Sequence, residues 1–324
     1  MKKYQRLLNN AFNRLKTKEN AKIIALLGAR QVGKTTLLSS FAASWSGKVV
    51  RYLGDKLEDS LLWRGKFAAV KHNLELSLGV PLEKIEAPAL LIFDEVQKIP
   101  EAFNNLKIIN DVYKDKIKIA ISGSSSLVLL HNTAESLGGR VEIATMYPLA
   151  LLEILSNEQD PRPLWLNKSV LSFSEIKANV LANGLGATAV AKALDTAISF
   201  GLFPEAYQQT SLEEARLLYQ NYHQTYIEKD VRDLREIGNV LDFDLVWKIA
   251  HRTNGNLLNY SNIVSEVGLA YNTVKKYINV LAASYNINLL PSYTRSIRKR
   301  LVKAPKIFSI DNGFFSHCLN IYGK

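Results

Sequence analysis

The sequence predicts an α/β fold in which helices cover both faces of a parallel sheet, followed by a mostly helical segment. Two observations predict it. Short apolar runs alternate with helical stretches over the first 150 residues, which is the pattern of a parallel sheet. Two of these runs end in polar motifs. The carboxyl ends of parallel strands lie next to one another and form the crevice in which α/β proteins bind ligands.

The first motif directly follows the apolar run Ile23 to Leu27. Residues Gly28 to Thr35 read Gly-Ala-Arg-Gln-Val-Gly-Lys-Thr, a complete G-x-x-x-x-G-K-[ST] phosphate loop in its strand-to-helix context. Gly28 and Gly33 permit the torsions that wrap a phosphate, Lys34 reaches the outer phosphates, and Thr35 offers a hydroxyl to Mg²⁺. The loop predicts binding of a nucleoside triphosphate. The predicted nucleotide-binding segment is Gly28, Ala29, Arg30, Gln31, Val32, Gly33, Lys34, Thr35 and Thr36.

The second motif, Ala89 to Glu95, is a buried-strand run that ends in two acids. Asp94 is placed to hold Mg²⁺ through water, and Glu95 to polarise an attacking water. Because a protein that only binds nucleotide needs no base beside the metal ligand, the pair favours hydrolysis.

Two further residues of this α/β unit are candidates for catalysis. Ser122 ends the apolar strand Ile117 to Ser122 in a hydroxyl-rich turn, where it either senses the terminal phosphate or satisfies local backbone groups. Arg140 follows Gly138-Gly139 and is either an arginine finger or a surface ion-pair residue.

Charge is unevenly distributed in a chain whose net charge is +11. Residues 1–150 hold 22 basic and 14 acidic side chains, residues 151–240 hold 8 and 12, and residues 241–324 hold 11 and 4. A basic segment binds nucleic acid or is simply a solvated face, and charge alone leaves both interpretations open.

The single thiol, Cys318, excludes an internal disulfide framework. No run of about eighteen apolar residues suggests a membrane helix, and Lys2-Lys3 is not followed by an apolar signal core. We therefore expect a cytoplasmic protein without a membrane partner.

Residues 257–278 predict two short helices joined by a turn at Gly268, the shape of a helix-turn-helix. If the second helix entered a major groove, its exposed readers would be Tyr271, Asn272, Thr273, Lys275 and Lys276. Asn286 to Leu290 and the basic stretch 295–303 are expected to form a strand pair or wing that contacts phosphates. The alternative is a structural or protein-contacting module.

The predicted organisation has five parts. They are an N-terminal helix (1–20), a P-loop nucleotide-binding domain (21–150), a helical lid (151–240), a winged-helix-like domain (241–305) and the start of a further domain (306–324).

In order along the chain, four segments carry a family resemblance: Gly-Ala-Arg-Gln-Val-Gly-Lys-Thr-Thr-Leu, Phe-Asp-Glu-Val-Gln-Lys-Ile-Pro, Ser-Gly-Ser-Ser-Ser and Leu-Gly-Gly-Arg. With Phe-Gly-Leu-Phe-Pro-Glu, Tyr-Ile-Glu-Lys-Asp-Val and Lys-Ala-Pro-Lys-Ile-Phe-Ser-Ile-Asp-Asn-Gly downstream, the chain resembles prokaryotic AAA-type ATPases. Those proteins carry an uncharacterised C-terminal domain often described as nuclease-like.

The resemblance implies that Asp94 and Glu95 are the metal-coordinating and catalytic acids, that Ser122 is at a sensor position, and that Arg140 belongs to a functional Gly-Arg pair. It also implies that Gly201 and Pro204 form a lid element near the adenine, although a helix-terminating turn explains these two residues equally well.

The sequence departs from the family near its C-terminus. Members usually continue into a terminal domain with acidic residues and a lysine, whereas no acid cluster follows Asp311 here, so we expect no nuclease activity. A partly formed domain would also leave Ile307, Phe308, Phe314 and Phe315 exposed unless they pack on the winged helix or on a partner.

Three functions follow from the sequence. The first is an Mg²⁺-dependent ATPase whose turnover moves the lid and winged helix, with double-stranded DNA as a candidate partner. The second is a nucleotide-gated DNA-binding regulator with negligible turnover, and the third is a truncated interaction module. Arg140 acting in trans would require a homo-oligomer, which the sequence leaves open.

Overall fold

The computed structural model describes residues 4, 6–16, 22–123, 137–158, 187–231, 237–294 and 303–321. The chain divides into two compact units. The first comprises Leu8–Met146, and the second comprises Met1–Leu7 together with Tyr147–Lys324.

The first unit contains a five-stranded parallel sheet in the order β2-β3-β4-β1-β5. Its strands are β1 (Ile23–Leu27), β2 (Val49–Leu53), β3 (Ala89–Asp94), β4 (Ile117–Ser122) and β5 (Val141–Thr145). Its α-helices are α1 (Asn9–Asn13), α2 (Lys34–Ala43), α3 (Leu57–Trp63), α4 (Phe67–Leu78) and α5 (Ala102–Tyr113). The parallel α/β core predicted from the sequence is therefore confirmed.

The three central strands are buried along their whole length, as expected for near-continuous apolar runs covered on both faces. Since β4 pairs with both β1 and β3, the carboxyl ends of these three strands lie side by side. Those ends carry the phosphate loop, Asp94 and Ser122.

The second unit is mostly helical in its described part. Its α-helices are α6 (Leu151–Glu158), α7 (Ala187–Phe200), α8 (Leu212–Thr225), α9 (Val240–Arg252), α10 (Tyr260–Val267), α11 (Tyr271–Ala283) and α12 (Asn312–Leu319). Strands β6 (Ile287–Leu290) and β7 (Lys306–Ser309) pair antiparallel, and a π-helical turn, Tyr226–Val231, follows α8.

The predicted helix pair is present as α10 and α11, with Gly268 in the left-handed conformation between them. Asn259 caps α10 by accepting hydrogen bonds from the backbone N–H groups of Ser261 and Asn262. Val274, Tyr277 and Ile278 are buried as predicted. Tyr271, Asn272, Lys275 and Lys276 are exposed, whereas Thr273 is half-buried.

The expected wing is described only in part. β6 pairs antiparallel with Lys306–Ser309, and residues 295–302 of the basic stretch lie outside the described residues. Strand β7 and helix α12 are thus built into the second unit, where we expected a further domain to begin.

Phe314 explains why α12 packs in this unit. Its ring is 1% exposed and contacts the rings of Tyr222, Trp247 and His251. Ile307 is also buried, and Phe308 and Phe315 are half-buried. Ile307 and Phe314 therefore pack within this unit, which is one of the alternatives to exposure that the sequence left open.

Asp311 connects α12 to the turn at Gly201. The Asp311 carboxylate accepts hydrogen bonds from the Tyr219 hydroxyl at 2.7 Å, from the backbone N–H of Phe314 at 3.0 Å and from that of Leu202 at 2.5 Å. Gly201 has φ +84°, and a Cβ there would lie 2.0 Å from the Tyr219 hydroxyl oxygen. The turn therefore requires glycine for both its torsion and its space.

The described residues of the predicted N-terminal helix (1–20) contain a short α-helix, α1, followed by a 3₁₀ turn, Arg14–Lys16. Arg6 forms a buried ion pair with Glu153 of α6 at 3.1 Å.

We predict that the second unit loses stability as the pH falls below about 6.5, the ordinary pKa of histidine. His251 is fully buried, and burial lowers its pKa to about 3, with His223 and His317 adding positive charge nearby. Burial also lowers the pKa of His317 to about 4. Below about pH 6.5, the unfolded chain binds protons that the folded chain does not bind. Each such proton lowers the free energy of unfolding by about 1.4 kcal/mol per pH unit.

Thermal melts of the wild type and His251→Phe between pH 7.5 and pH 4.5 test this. The variant should have the shallower dependence of Tm on pH, because its buried ring does not titrate. Burial raises the pKa of Asp311, which opposes the trend, but that effect is common to both proteins and cancels in the comparison. Parallel curves would contradict the prediction.

Candidate functional site

The phosphate loop connects β1 to α2 through backbone torsions that favour glycine. Gly28 has φ +148° and Gly33 has φ +97°, while Gln31 has φ +59°. Left-handed residues within a short loop make the concave backbone that binds anions. Helix α2 begins at Lys34, so the positive end of its dipole faces the loop.

Lys34 is folded onto this loop. Its Nζ atom donates hydrogen bonds to the backbone carbonyls of Gly28 at 2.9 Å and of Ala29 at 2.7 Å, and the residue is only 6% exposed. A buried ammonium held within the phosphate loop lies where a polyphosphate would need a counter-charge.

Asp94 is the centre of a hydrogen-bonded cluster that joins three strand ends. The Thr35 hydroxyl donates to Oδ2 of Asp94 at 2.7 Å, and the Ser122 hydroxyl donates to Oδ1. Asp94 and Ser122 are 9% and 0% exposed. The structure therefore brings together Thr35, Asp94 and Ser122, which lie far apart in the sequence.

Glu95 occupies the turn directly after β3. Its backbone is left-handed, with φ 53° and ψ 39°, and Oε2 accepts a hydrogen bond from Nε2 of Gln97 at 2.6 Å. The backbone N–H of Gly54 donates to the Asp94 carbonyl at 2.8 Å, so the end of β2 supports this turn. Sequence reasoning missed Gln97, although it lies two residues after Glu95 in the acidic motif.

Arg140 is not brought to the phosphate loop of its own chain. Its carbonyl accepts from the backbone N–H of Ile23 at 2.8 Å, and Ile23 begins the strand whose other end carries the loop. Its guanidinium forms a bidentate pair with Asp111, at 2.5 and 3.0 Å. The start of β1 lies at the amino end of the parallel sheet, whereas the phosphate loop lies at the carboxyl end. The geometry therefore does not support a role for Arg140 in cis.

Gly201 and Pro204 lie in the second unit. Next to Gly201, the backbone N–H of Leu202 donates to Asp311. The carbonyl of Pro204 accepts a hydrogen bond from the Gln208 side chain at 2.8 Å, and Pro204 is buried. These contacts account for the turn structurally, and an approach of this turn to adenine stays a prediction.

The residues at the sheet edge fit a nucleotide with a bound Mg²⁺ ion. The Thr35 hydroxyl and the Asp94 carboxylate are oxygen donors, which Mg²⁺ prefers, and they already lie 2.7 Å apart. Gly28 leaves no room for a side chain, because a Cβ would lie 2.1 Å from the Met146 carbonyl oxygen. Throughout the described residues, His, Cys, Asp and Glu form no cluster of three or more that could hold a metal ion.

Together, this fold and this site define a P-loop nucleotide-binding protein. Residues 20–155 match a family model described as an AAA domain. The structure is similar to that of the Walker-type ATPase PABY2304 of Pyrococcus abyssi, with a TM-score of 0.53 and 14% identity over 98% of this chain and 96% of that one. The domain match and this structural similarity both agree with the P-loop core described above.

The curated relatives extend beyond the chain. An uncharacterised protein of Mycobacterium tuberculosis, Rv2008c, and one of Mycobacterium bovis, Mb2031c, are each 23% identical over 302 residues. The match covers 93% of this chain and 57% of each relative. Residues 191–324 match a family model described as a domain of unknown function, DUF8612.

No helix in the described ranges combines the length and the apolar character needed to cross a membrane.

We predict that Gly28→Ala destabilises the first unit by about 2 kcal/mol or more, because the added Cβ collides with backbone and the torsion is unfavourable for alanine. The matched control is Gly238→Ala, where a Cβ meets nothing within 4 Å. Equal Tm values for the two variants would show that the loop backbone is not constrained as described.

Proposed function

We propose that this chain is an Mg²⁺-dependent ATPase that couples nucleotide state to movement of its C-terminal helices. The observation that carries the proposal is the convergence of Lys34, Thr35, Asp94 and Ser122 at one edge of the sheet. Similarity to the solved structure supports the fold alone. The residues at this edge of the sheet support the proposed hydrolysis.

Each residue has a distinct role in the proposal. Lys34 exchanges its loop carbonyls for the outer phosphates and stabilises negative charge there. Thr35 and Asp94 hold Mg²⁺, which when bound offsets phosphate charge and orients the terminal phosphoryl group. Glu95 orients a water and accepts its proton, while Ser122 fixes the orientation of Asp94 and senses the terminal phosphate.

We predict a contrast between Lys34→Ala and Glu95→Gln. Lys34→Ala should weaken Mg-ATP binding by about 10- to 100-fold, because it removes charge-assisted bonds to phosphate. Glu95→Gln should keep the affinity but lower kcat by about 10²- to 10⁴-fold, the range for loss of a general base.

Calorimetric titration and steady-state phosphate release would measure the two effects. Lys98→Ala is a suitable control, because Lys98 lies in the same turn as Glu95 but forms a surface ion pair with Asp55. Normal turnover by Glu95→Gln would show that the base has been wrongly assigned.

Arg140 supports a homo-oligomeric form of the ATPase. It lies at the edge of the sheet opposite its own phosphate loop and is 34% exposed in its side chain, so any contact with a transferring phosphoryl group comes from a neighbouring copy. Asp111 holds the guanidinium in a fixed position at the surface, from which a second subunit can be reached.

We predict that Arg140→Ala and Lys34→Ala complement each other when they are mixed. Each variant alone should be nearly inactive, since an arginine finger contributes about 10³-fold or more to kcat. In mixed oligomers, the intact arginine of one subunit serves the intact loop of the other. A mixture no more active than its two components would exclude action in trans.

The pair α10 and α11 supports contact with double-stranded DNA. The exposed face of α11 carries Lys275 and Lys276 beside Tyr271 and Asn272, while its buried face packs against α10 and α9. In this proposal α10 and α11 belong to a winged-helix-like module, and α7 and α8 belong to the lid whose position depends on nucleotide.

We predict salt-dependent binding to duplex DNA that weakens when Lys275 and Lys276 are both changed to alanine. The slope of log K against log salt should fall by about 2, one for each lost phosphate contact. The matched control changes the exposed Lys56 and Lys66 of the first unit to alanine. Equal slopes for the two double variants would exclude α11 as the DNA-contacting helix.

The same exposed lysines favour one alternative, a nucleotide-gated DNA-binding regulator with negligible turnover. Phosphate release by the wild type, with and without DNA, distinguishes it from the ATPase. In a module that serves interactions alone, Mg-ATP would not raise the Tm, because only a ligand that binds the native state stabilises it.

A further inference from the structure

The turn after β3 contains a side-chain hydrogen bond to which the sequence motifs assign no role. Nε2 of Gln97 donates to Oε2 of Glu95 at 2.6 Å. A hydrogen bond from an amide to a carboxylate is charge-assisted and stronger than a neutral one. Because Gln97 is 8% exposed, its amide has few alternative positions, and the bond restricts the orientation of the Glu95 carboxylate.

The backbone beneath this hydrogen bond is also held in place. Glu95 adopts a left-handed conformation, φ 53°, which residues other than glycine rarely adopt and which concentrates at functional sites. Gly54 fits closely under the turn, since a Cβ there would lie 2.0 Å from the Glu95 carbonyl oxygen. β2 therefore fixes the backbone of Glu95, and Gln97 fixes its side chain.

The two neighbouring acids differ in their partners. Asp94 accepts hydrogen bonds from Thr35, from Ser122 and from the backbone N–H of Glu95. Glu95 accepts from Gln97 at Oε2, a hydrogen bond within the turn itself.

We propose that Gln97 is a positioning residue for Glu95, holding the carboxylate in the orientation in which it activates water. The inference rests on the proposed ATPase function and deepens it. Gln97 contacts the base rather than the nucleotide, so its loss should affect the chemical step and leave Mg-ATP binding unchanged.

The test uses Gln97→Met, which keeps a similar volume and removes the donor. kcat should fall by about 10- to 100-fold, the cost of misplacing a catalytic group, while the Kd for Mg-ATP changes by less than about threefold. Lys98→Met is the matched control in the same turn. Its ammonium pairs with the exposed Asp55, so kcat should be unchanged.

A double-mutant comparison separates positioning from a general structural role. In a Glu95→Gln background the base is absent, so adding Gln97→Met should cause no further loss of kcat. An equal loss in both backgrounds would overturn the proposal, as would a Gln97→Met enzyme with wild-type kcat.

A second measurement needs no nucleotide. Gln97→Met and Glu95→Ala should each change the Tm, and the double variant should differ from the wild type by less than the sum of the two changes, because they remove the same bond. Additive shifts would overturn the interaction itself. Absence of wild-type turnover would overturn the proposed function and the role of Gln97 in it, whereas turnover insensitive to Gln97→Met overturns only the positioning role.

Discussion

The pairing of β4 with both β1 and β3 is the constraint on which the site depends. It places three strand ends side by side, and these ends carry the phosphate loop, Asp94 and Ser122. A shift of one residue in either register would reverse which side chains face each layer of helices. The full burial of all three strands makes such a shift costly, so the sheet core fixes the positions of the polar groups at its edge.

Within this frame, Asp94 connects the parts of the site. It accepts hydrogen bonds from Thr35 at the start of α2 and from Ser122 at the end of β4. In a buried setting each of these bonds is strong, and an unsatisfied carboxylate would be costly. The same oxygens that stabilise the edge of the sheet are those suited to Mg²⁺, which links the local stability of the site to the chemistry proposed for it.

The second unit shows a comparable dependence on a buried carboxylate. Asp311 binds the Tyr219 hydroxyl and the backbone of Leu202 and Phe314, and it thereby joins α8, the turn at Gly201 and α12. The residues after Lys303 are consequently part of this unit's core. The aromatic partners of Phe314 lie about 60 to 110 positions earlier in the chain. The order of motifs, which had suggested a new domain there, does not reveal such distant contacts.

The sequence by itself determined the three central strands, the phosphate loop, the acidic pair and the helix pair at 260–283, because apolar periodicity and glycine torsions are local properties. Only the tertiary structure decided which of these residues meet. It placed Ser122 on Asp94, Gln97 on Glu95, and Arg140 at the far edge of the sheet beside Asp111. It also paired β6 with β7. Strand order and side-chain partners depend on the apolar surface that distant segments bury together. A local sequence pattern carries no information about which distant segments meet.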